Sequence, residues 1–158
     1  MTTPEEDWPV DAPATPRDVL IALRFADRAA RKAVAAELVG TGLHTGQELV
    51  LAKLLHHGSL PVAKLAKVLD VEVPTATKTT QRMEAAGLVR RVKSTSDARQ
   101  VGIELTDQGA DLARTVQDIY DRAGGRALAA LSPEDRRHLR NLLWTLTTTL
   151  EGDPASHE

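Results

Sequence analysis

Apolar residues recur at Val19, Leu20, Leu23, Ala26, Ala30, Ala33, Val34 and Leu38, the spacing of one helix face. Thr15-Pro16-Arg17-Asp18 supplies the start of that helix. It offers a hydroxyl cap, a proline in the first turn and an acid near the positive end of the helix. Gly40 and Gly42 end it. A second start, Thr45-Gly46-Gln47-Glu48, has capping-box spacing, and Leu49, Leu51, Ala52, Leu54 and Leu55 form its expected buried side up to Gly58. A short third helix spans Leu60 to Leu69, with Val62, Leu65, Ala66 and Leu69 inward and Lys64 and Lys67 outward. Asp70 to Val73 turns the chain. Pro74 fits the first turn of a fourth helix, which runs to about Ala86 and stops at Gly87.

After Gly87 the pattern shortens. Leu88 to Val92 and Val101 to Leu105 read as two short strands, joined by the polar stretch Lys93 to Gln100 in a hairpin. Thr106 then caps a long helix through Leu112, Ala113, Val116, Ile119, Tyr120 and Ala123. Gly124-Gly125 is expected to weaken its middle, and it fades near Leu131. Ser132-Pro133-Glu134-Asp135 opens the last helix, with Leu139, Leu142, Leu143, Leu146 and Leu150 along one face. Residues 1–14 hold three of the eight prolines and four acids, and read as a flexible arm; 152–158 is a tail. No internal repeat or low-complexity segment stands out.

Within the fourth helix, Ala76, Thr80 and Met83 share one side and suit packing on the third helix. Thr75, Thr77, Lys78, Gln81 and Arg82 fall near its start or on other sides. Thr and Gln can hydrogen-bond base edges, and Lys can reach guanine or phosphate. A short helix, a tight turn, a polar helix and a basic hairpin, in that order, form a winged helix-turn-helix suited to duplex DNA. The hairpin carries Arg90, Arg91, Lys93, Asp97 and Arg99. An arginine at the tip, Arg99, suits a narrow minor groove, where the negative potential is enhanced. Asp97 is expected to hold Arg99, Arg90 or Arg91 in place rather than meet DNA itself.

The bulk charge of −2 at first argues against a nucleic-acid partner. Its distribution reverses that. Between Pro74 and Arg99 six bases (Lys78, Arg82, Arg90, Arg91, Lys93, Arg99) face two acids (Glu84, Asp97), whereas Glu5, Glu6, Asp7 and Asp11 crowd the first sixteen residues without a base. A local basic patch on an acidic body attracts phosphate at short range. With 42% hydrophobic and 27% charged residues in 158, the chain is globular and long enough for one compact domain, or one small domain plus an appendage. It has no cysteine, which excludes disulfides, thiol redox sensing and thiolate-bound zinc. No apolar run reaches the length of a membrane span, so a cytoplasmic location away from membranes is expected.

Over most of its length, from about Arg17 to Leu150, the chain resembles the MarR family of winged-helix transcriptional regulators. The residues that carry the likeness are LHTGQELVLAKL, LAKVLDVEVPTATKTTQRMEAAGLVRR, SDAR, IELTDQGADL and ALSPEDRRHLRNLL. The resemblance implies a mainly α protein with a small β-wing. It divides into an arm (1–14), an N-terminal dimerisation helix (15–42), a DNA-binding lobe (43–106), C-terminal dimerisation helices (107–151) and a tail (152–158). It further implies a homodimer that puts Thr75, Thr77, Lys78, Gln81 and Arg82 at the major groove or its phosphates, and Arg99 in the minor groove. Lys78 stands where the family often has Arg, and Thr79-Thr80 where aliphatic residues are usual. Independently of the resemblance, the apolar faces of the first and last helices exceed what a small lobe needs, which suits a partner copy.

The family commonly binds small phenolic or lipophilic effectors, and the sequence names none. Trp144 could line a cavity, but an isolated Trp on an apolar helix more often belongs to a core. A zinc-responsive regulator of the same fold is one alternative, since His44, His56, His57 and His138 lie near helix ends with Glu37, Glu48 and Asp107 as conceivable partners. No pair shows tight helical spacing, and adjacent His56 and His57 are expected to point apart. A winged helix that binds protein is another alternative, opposed by Lys78, Arg82 and Arg99. No phosphate loop, nucleophile elbow or defined acid pair marks an enzyme, and no cofactor is required.

Overall fold

The computed structural model describes residues 13–44, 46–93 and 101–152. Along them run α1 (Pro16–Leu38), α2 (Gln47–His57), β1 (Leu60–Pro61), α3 (Val62–Leu69) and α4 (Val73–Ala85). After these come β2 (Val89–Lys93), β3 (Val101–Leu105), α5 (Asp107–Ala127) and α6 (Pro133–Glu151). Three of the four expected helix starts are made by the side chains foreseen. The hydroxyl oxygens of Thr15, Thr106 and Ser132 accept from the backbone N–H of Asp18, Gly109 and Asp135 respectively. Each satisfies a donor that a helix N-terminus leaves without an internal partner.

The start of α2 differs. Its cap is Gly46 in the left-handed region at φ +92°, without a side-chain hydrogen bond, and Thr45 lies outside the described residues. The Gln47 side-chain oxygen instead accepts from the His44 N–H at 2.9 Å. The buried stripe is Gln47, Val50, Leu51 and Leu54, with Glu48 buried beside it, while Leu49, expected inside, is 42% exposed. The reason is tertiary: α2 lies against α5, α3 and β3, and those neighbours decide which side is covered.

Leu60 and Pro61, expected in a helix, form an edge strand. They pair antiparallel with β3 (Leu60 opposite Ile103, Pro61 opposite Gly102), giving a sheet of order β1-β3-β2. Proline lacks the N–H of an interior strand and is tolerated at such an edge. Gly124-Gly125 occupies the last turn of α5 rather than its middle, because the helix ends at Ala127 instead of near Leu131.

The core joins α2, α3, α4, the sheet and α5 through Leu51, Leu54, Leu65, Met83, Ile103, Val116 and Ile119, all fully buried. The turn from α4 into β2 is tied to the start of α5. The Thr106 hydroxyl donates to the Gly87 carbonyl at 2.6 Å, and the Thr106 N–H donates to the Leu88 carbonyl at 3.1 Å. At Gly109 an added Cβ would lie 1.9 Å from the Leu88 carbonyl oxygen, so only glycine lets the helix approach this closely. Towards the two ends of the chain burial stops. Only Leu38 of α1 is buried, and no described side chain of α6 is.

Candidate nucleic-acid interface

The break between α3 and α4 is built on Asp70, which adopts φ +53°. Its N–H donates to the Lys67 carbonyl at 3.2 Å and the Val71 N–H to Ala66 at 3.0 Å, closing α3 as a glycine usually would. Pro74 then sits in the first turn of α4. Ala76, Thr80 and Met83 are buried on the inner side, as their spacing predicts. Thr80 fits there because its hydroxyl donates within the helix, to the carbonyls of Ala76 (2.9 Å) and Thr77 (3.0 Å). A buried hydroxyl with acceptors avoids the cost of desolvation without a partner.

The same rotation leaves Thr75, Lys78, Gln81 and Arg82 exposed on the outer side. Thr77 is half-buried, and its hydroxyl donates to the Val73 carbonyl at 2.8 Å, leaving oxygen lone pairs to accept. These five residues therefore share the outward part of one helix. Lys93 is exposed at the end of β2. The loop 94–100, with Asp97 and Arg99, lies outside the described residues.

Arg90 and Arg91 project to opposite sides of β2, and each meets an acid. The Arg90 Nε donates to the carboxylate of Glu104, its direct partner across the hairpin, at 2.7 Å. The Arg91 Nε donates to Glu84 of α4 at 3.1 Å. Sequence reasoning missed both glutamates; Asp97, which it offered for this task, lies outside the described residues. Glu104 becomes legible only once the strand register is known. The bridge from Glu84 to Arg91 spans the turn at Gly87, which carries no periodic signal.

The metal candidates do not converge. His44 precedes α2, Glu48 is buried within it, His56 and His57 end it, and His138 lies on α6. No three described His, Asp or Glu side chains come together as a ligand set. His56 and His57, expected to point apart, meet edge to face with ring centroids 4.7 Å apart. Both are exposed at the last turn of α2, where the imidazoles are free to tilt toward each other. Glu48 leaves its Oε2 without a hydrogen-bond partner. Trp144, expected in a core, is 70% exposed on α6.

A polar helix presented outward from a tight turn, flanked by an antiparallel arginine-bearing hairpin, defines a winged helix-turn-helix DNA-binding protein. Comparison with known proteins agrees. Residues 43–101 match the MarR family. Over 104 residues the chain is 38% identical to the organic hydroperoxide resistance transcriptional regulator of Bacillus subtilis (strain 168), covering 66% of this chain and 69% of that protein. It is 30% identical over 112 residues to the transcriptional repressor MdtR of the same organism, covering 71% and 72% of the two chains. Among solved structures, the transcriptional regulator SlyA shares the fold with a TM-score of 0.75 at 22% identity, covering 84% of this chain and 94% of that one. NadR in complex with 4-hydroxyphenylacetate aligns with a TM-score of 0.72 at 26% identity, covering 88% and 97%. The chain belongs to the MarR family: it is a DNA-binding transcriptional regulator and not an enzyme.

Proposed function

We propose that the protein is a cytoplasmic, homodimeric repressor that binds a pseudo-palindromic operator and releases it when a small effector binds. The observation that carries the DNA reading is the outer face of α4, where Thr75, Lys78, Gln81 and Arg82 are exposed while the opposite side is buried in the core. Thr77 joins this set through its remaining acceptor capacity. Arg90, Arg91 and Lys93 contact phosphates beside it, and Arg99 enters the minor groove. In this reading Gln81 and the threonines read base edges, and Lys78 and Arg82 contribute charge.

Support for the dimer comes from the two ends of the chain. Val19 and Leu20 on α1, and Leu142, Leu143 and Leu150 on α6, are exposed by 41–66%. An apolar surface of that extent suits a second copy, with residues 15–42 and 107–151 as dimerisation helices and 43–106 as the DNA-binding lobe. Two-fold symmetry then sets half-sites about 10 bp apart. An effector is supported by relatives: NadR was solved with 4-hydroxyphenylacetate, and a BpsR structure concerns regulation of its DNA binding by 6-hydroxynicotinic acid. Both are hydroxylated aromatic acids, the class we propose here. Repression takes its support from MdtR, a repressor.

The test is a gel-shift series against a selected site and a scrambled duplex at fixed salt. Gln81→Ala should weaken the selected site by about 1–3 kcal/mol while leaving the scrambled duplex nearly unchanged. Lys78→Ala should weaken both. Equal losses on both duplexes for Gln81→Ala would remove that residue from the base-reading set.

A further inference from the structure

The two acids that hold Arg90 and Arg91 stand at the edge of a surface read above as meeting phosphate. Simple charge counting makes them unfavourable there, because a carboxylate repels a phosphate. Their geometry points the other way. In both pairs the acid is the more covered partner: side-chain exposure is 29% for Glu104 against 66% for Arg90, and 38% for Glu84 against 45% for Arg91. The hydrogen bond in each pair is made by Nε, the inner nitrogen of the guanidinium. A guanidinium carries four further N–H donors on its two outer nitrogens, in the fork that suits two phosphate oxygens.

The two acids also fix different things. Glu104 faces Arg90 across the ladder, so its position is set by the β2–β3 register. Glu84 belongs to α4, so its bond to Arg91 joins the recognition helix to the wing. A free arginine samples many rotamers and loses that freedom when it grips a phosphate. One already held by its Nε loses less.

We propose that Glu104 and Glu84 are positioning residues for DNA binding, which brace Arg90 and Arg91 from beneath so that their outer guanidinium edges face the phosphate backbone. The proposal rests on the reading of Arg90 and Arg91 as phosphate contacts. It inverts the usual charge expectation: removing these acids weakens DNA binding although the protein becomes more positive.

The experiment uses the full chain and a mixed-sequence duplex, with affinity measured by fluorescence anisotropy over a series of salt concentrations. Glu104→Ala and Glu84→Ala are each expected to weaken binding by roughly three- to tenfold. Each should also lower the slope of log affinity against log salt by about one, the signature of a lost phosphate contact. Glu104→Gln keeps an acceptor for Nε and should stay within about twofold of the wild type, its salt slope preserved. In an Arg90→Ala background, Glu104→Ala should have no further effect. Far-ultraviolet circular dichroism on each variant separates misfolding from weakened binding.

Tighter or unchanged binding by folded Glu104→Ala and Glu84→Ala overturns the proposal and makes the acids competitors of phosphate or bystanders. An undiminished loss from Glu104→Ala in the Arg90→Ala background also overturns it. A wild-type chain that binds no duplex at any salt fails the DNA reading itself, and so is told apart from failure of this inference.

Discussion

Replacing Gly109 with alanine sets two effects against each other. Alanine is the better helix former by about 1 kcal/mol, but its Cβ would sit 1.9 Å from the Leu88 carbonyl oxygen, a backbone atom tied down by Thr106. The steric effect wins, because the helix start and the α4–β2 turn must move apart to relieve it. Gly109→Ala should therefore destabilise the fold by about 1–3 kcal/mol, read as a lower urea midpoint. Tyr120 offers a second probe at this scale, since the chain has no other tyrosine. Burial first, and the Glu48 carboxylate second, push its hydroxyl above the ordinary value of 10.0. The folded state thus holds this proton more tightly than the unfolded chain, and stability falls as pH rises past 10. Tyrosinate absorbance in the native protein should titrate above that value. Glu48→Gln should bring the midpoint only part of the way back, because burial is the larger cause; an unmoved midpoint would mean the carboxylate is not felt.

Among the elements, the junction of α1 with α5 depends on Glu37. Its carboxylate accepts from Arg126 at 2.6 Å and lies 3.5 Å from Arg122. The hydrogen bond and then the charge of Arg126 lead the effects that hold Glu37 below its ordinary value of 4.5; burial opposes them, and Arg122 adds a lesser lowering effect. A depressed carboxylate stabilises the fold above its unfolded pKa, and that contribution disappears as pH falls through the folded value. Glu37→Gln should accordingly melt at a lower temperature than wild type at neutral pH. The two melting curves should converge as pH falls below 4.5 and through the lower folded value. A difference that persists in acid would assign the loss to packing instead of charge. Most of α1 depends on this end for attachment, since Leu38 is its only buried residue.

For the whole molecule, the question is what covers α6. Its described side chains are all at least partly exposed, and Leu142 and Leu143 are 54% and 41% exposed. The dimer we propose predicts that Leu142→Glu combined with Leu143→Glu halves the mass in sedimentation equilibrium. The lobe built on Leu51, Met83 and Ile103 should stay folded, because neither substitution touches its core. Specific DNA binding should fall with the mass, since one recognition helix alone spans half an operator. Retention of the wild-type mass would show that this face of α6 is not the interface.

What could be read along the chain was whatever depends on near neighbours. The caps at Thr15, Thr106 and Ser132 act within three residues, and the inner stripe Ala76, Thr80 and Met83 repeats with the helix, so both were legible. Acidic and basic stretches likewise declared themselves by counting, and so did the order of helix, turn, helix and hairpin that the family shares. Tertiary structure alone decided the rest. A two-residue strand has no period, and β1 exists because β3 offers Leu60 and Pro61 an edge. The rotation of α2 that buries Val50 and exposes Leu49 answers to α5 and α3, which are distant in the chain. Glu104 and Glu84 reach their arginines only after the hairpin register and the α4–β2 turn are in place. Periodicity and capping are short-range and survive in one dimension, whereas a partner across a sheet is chosen by a register that no single stretch contains.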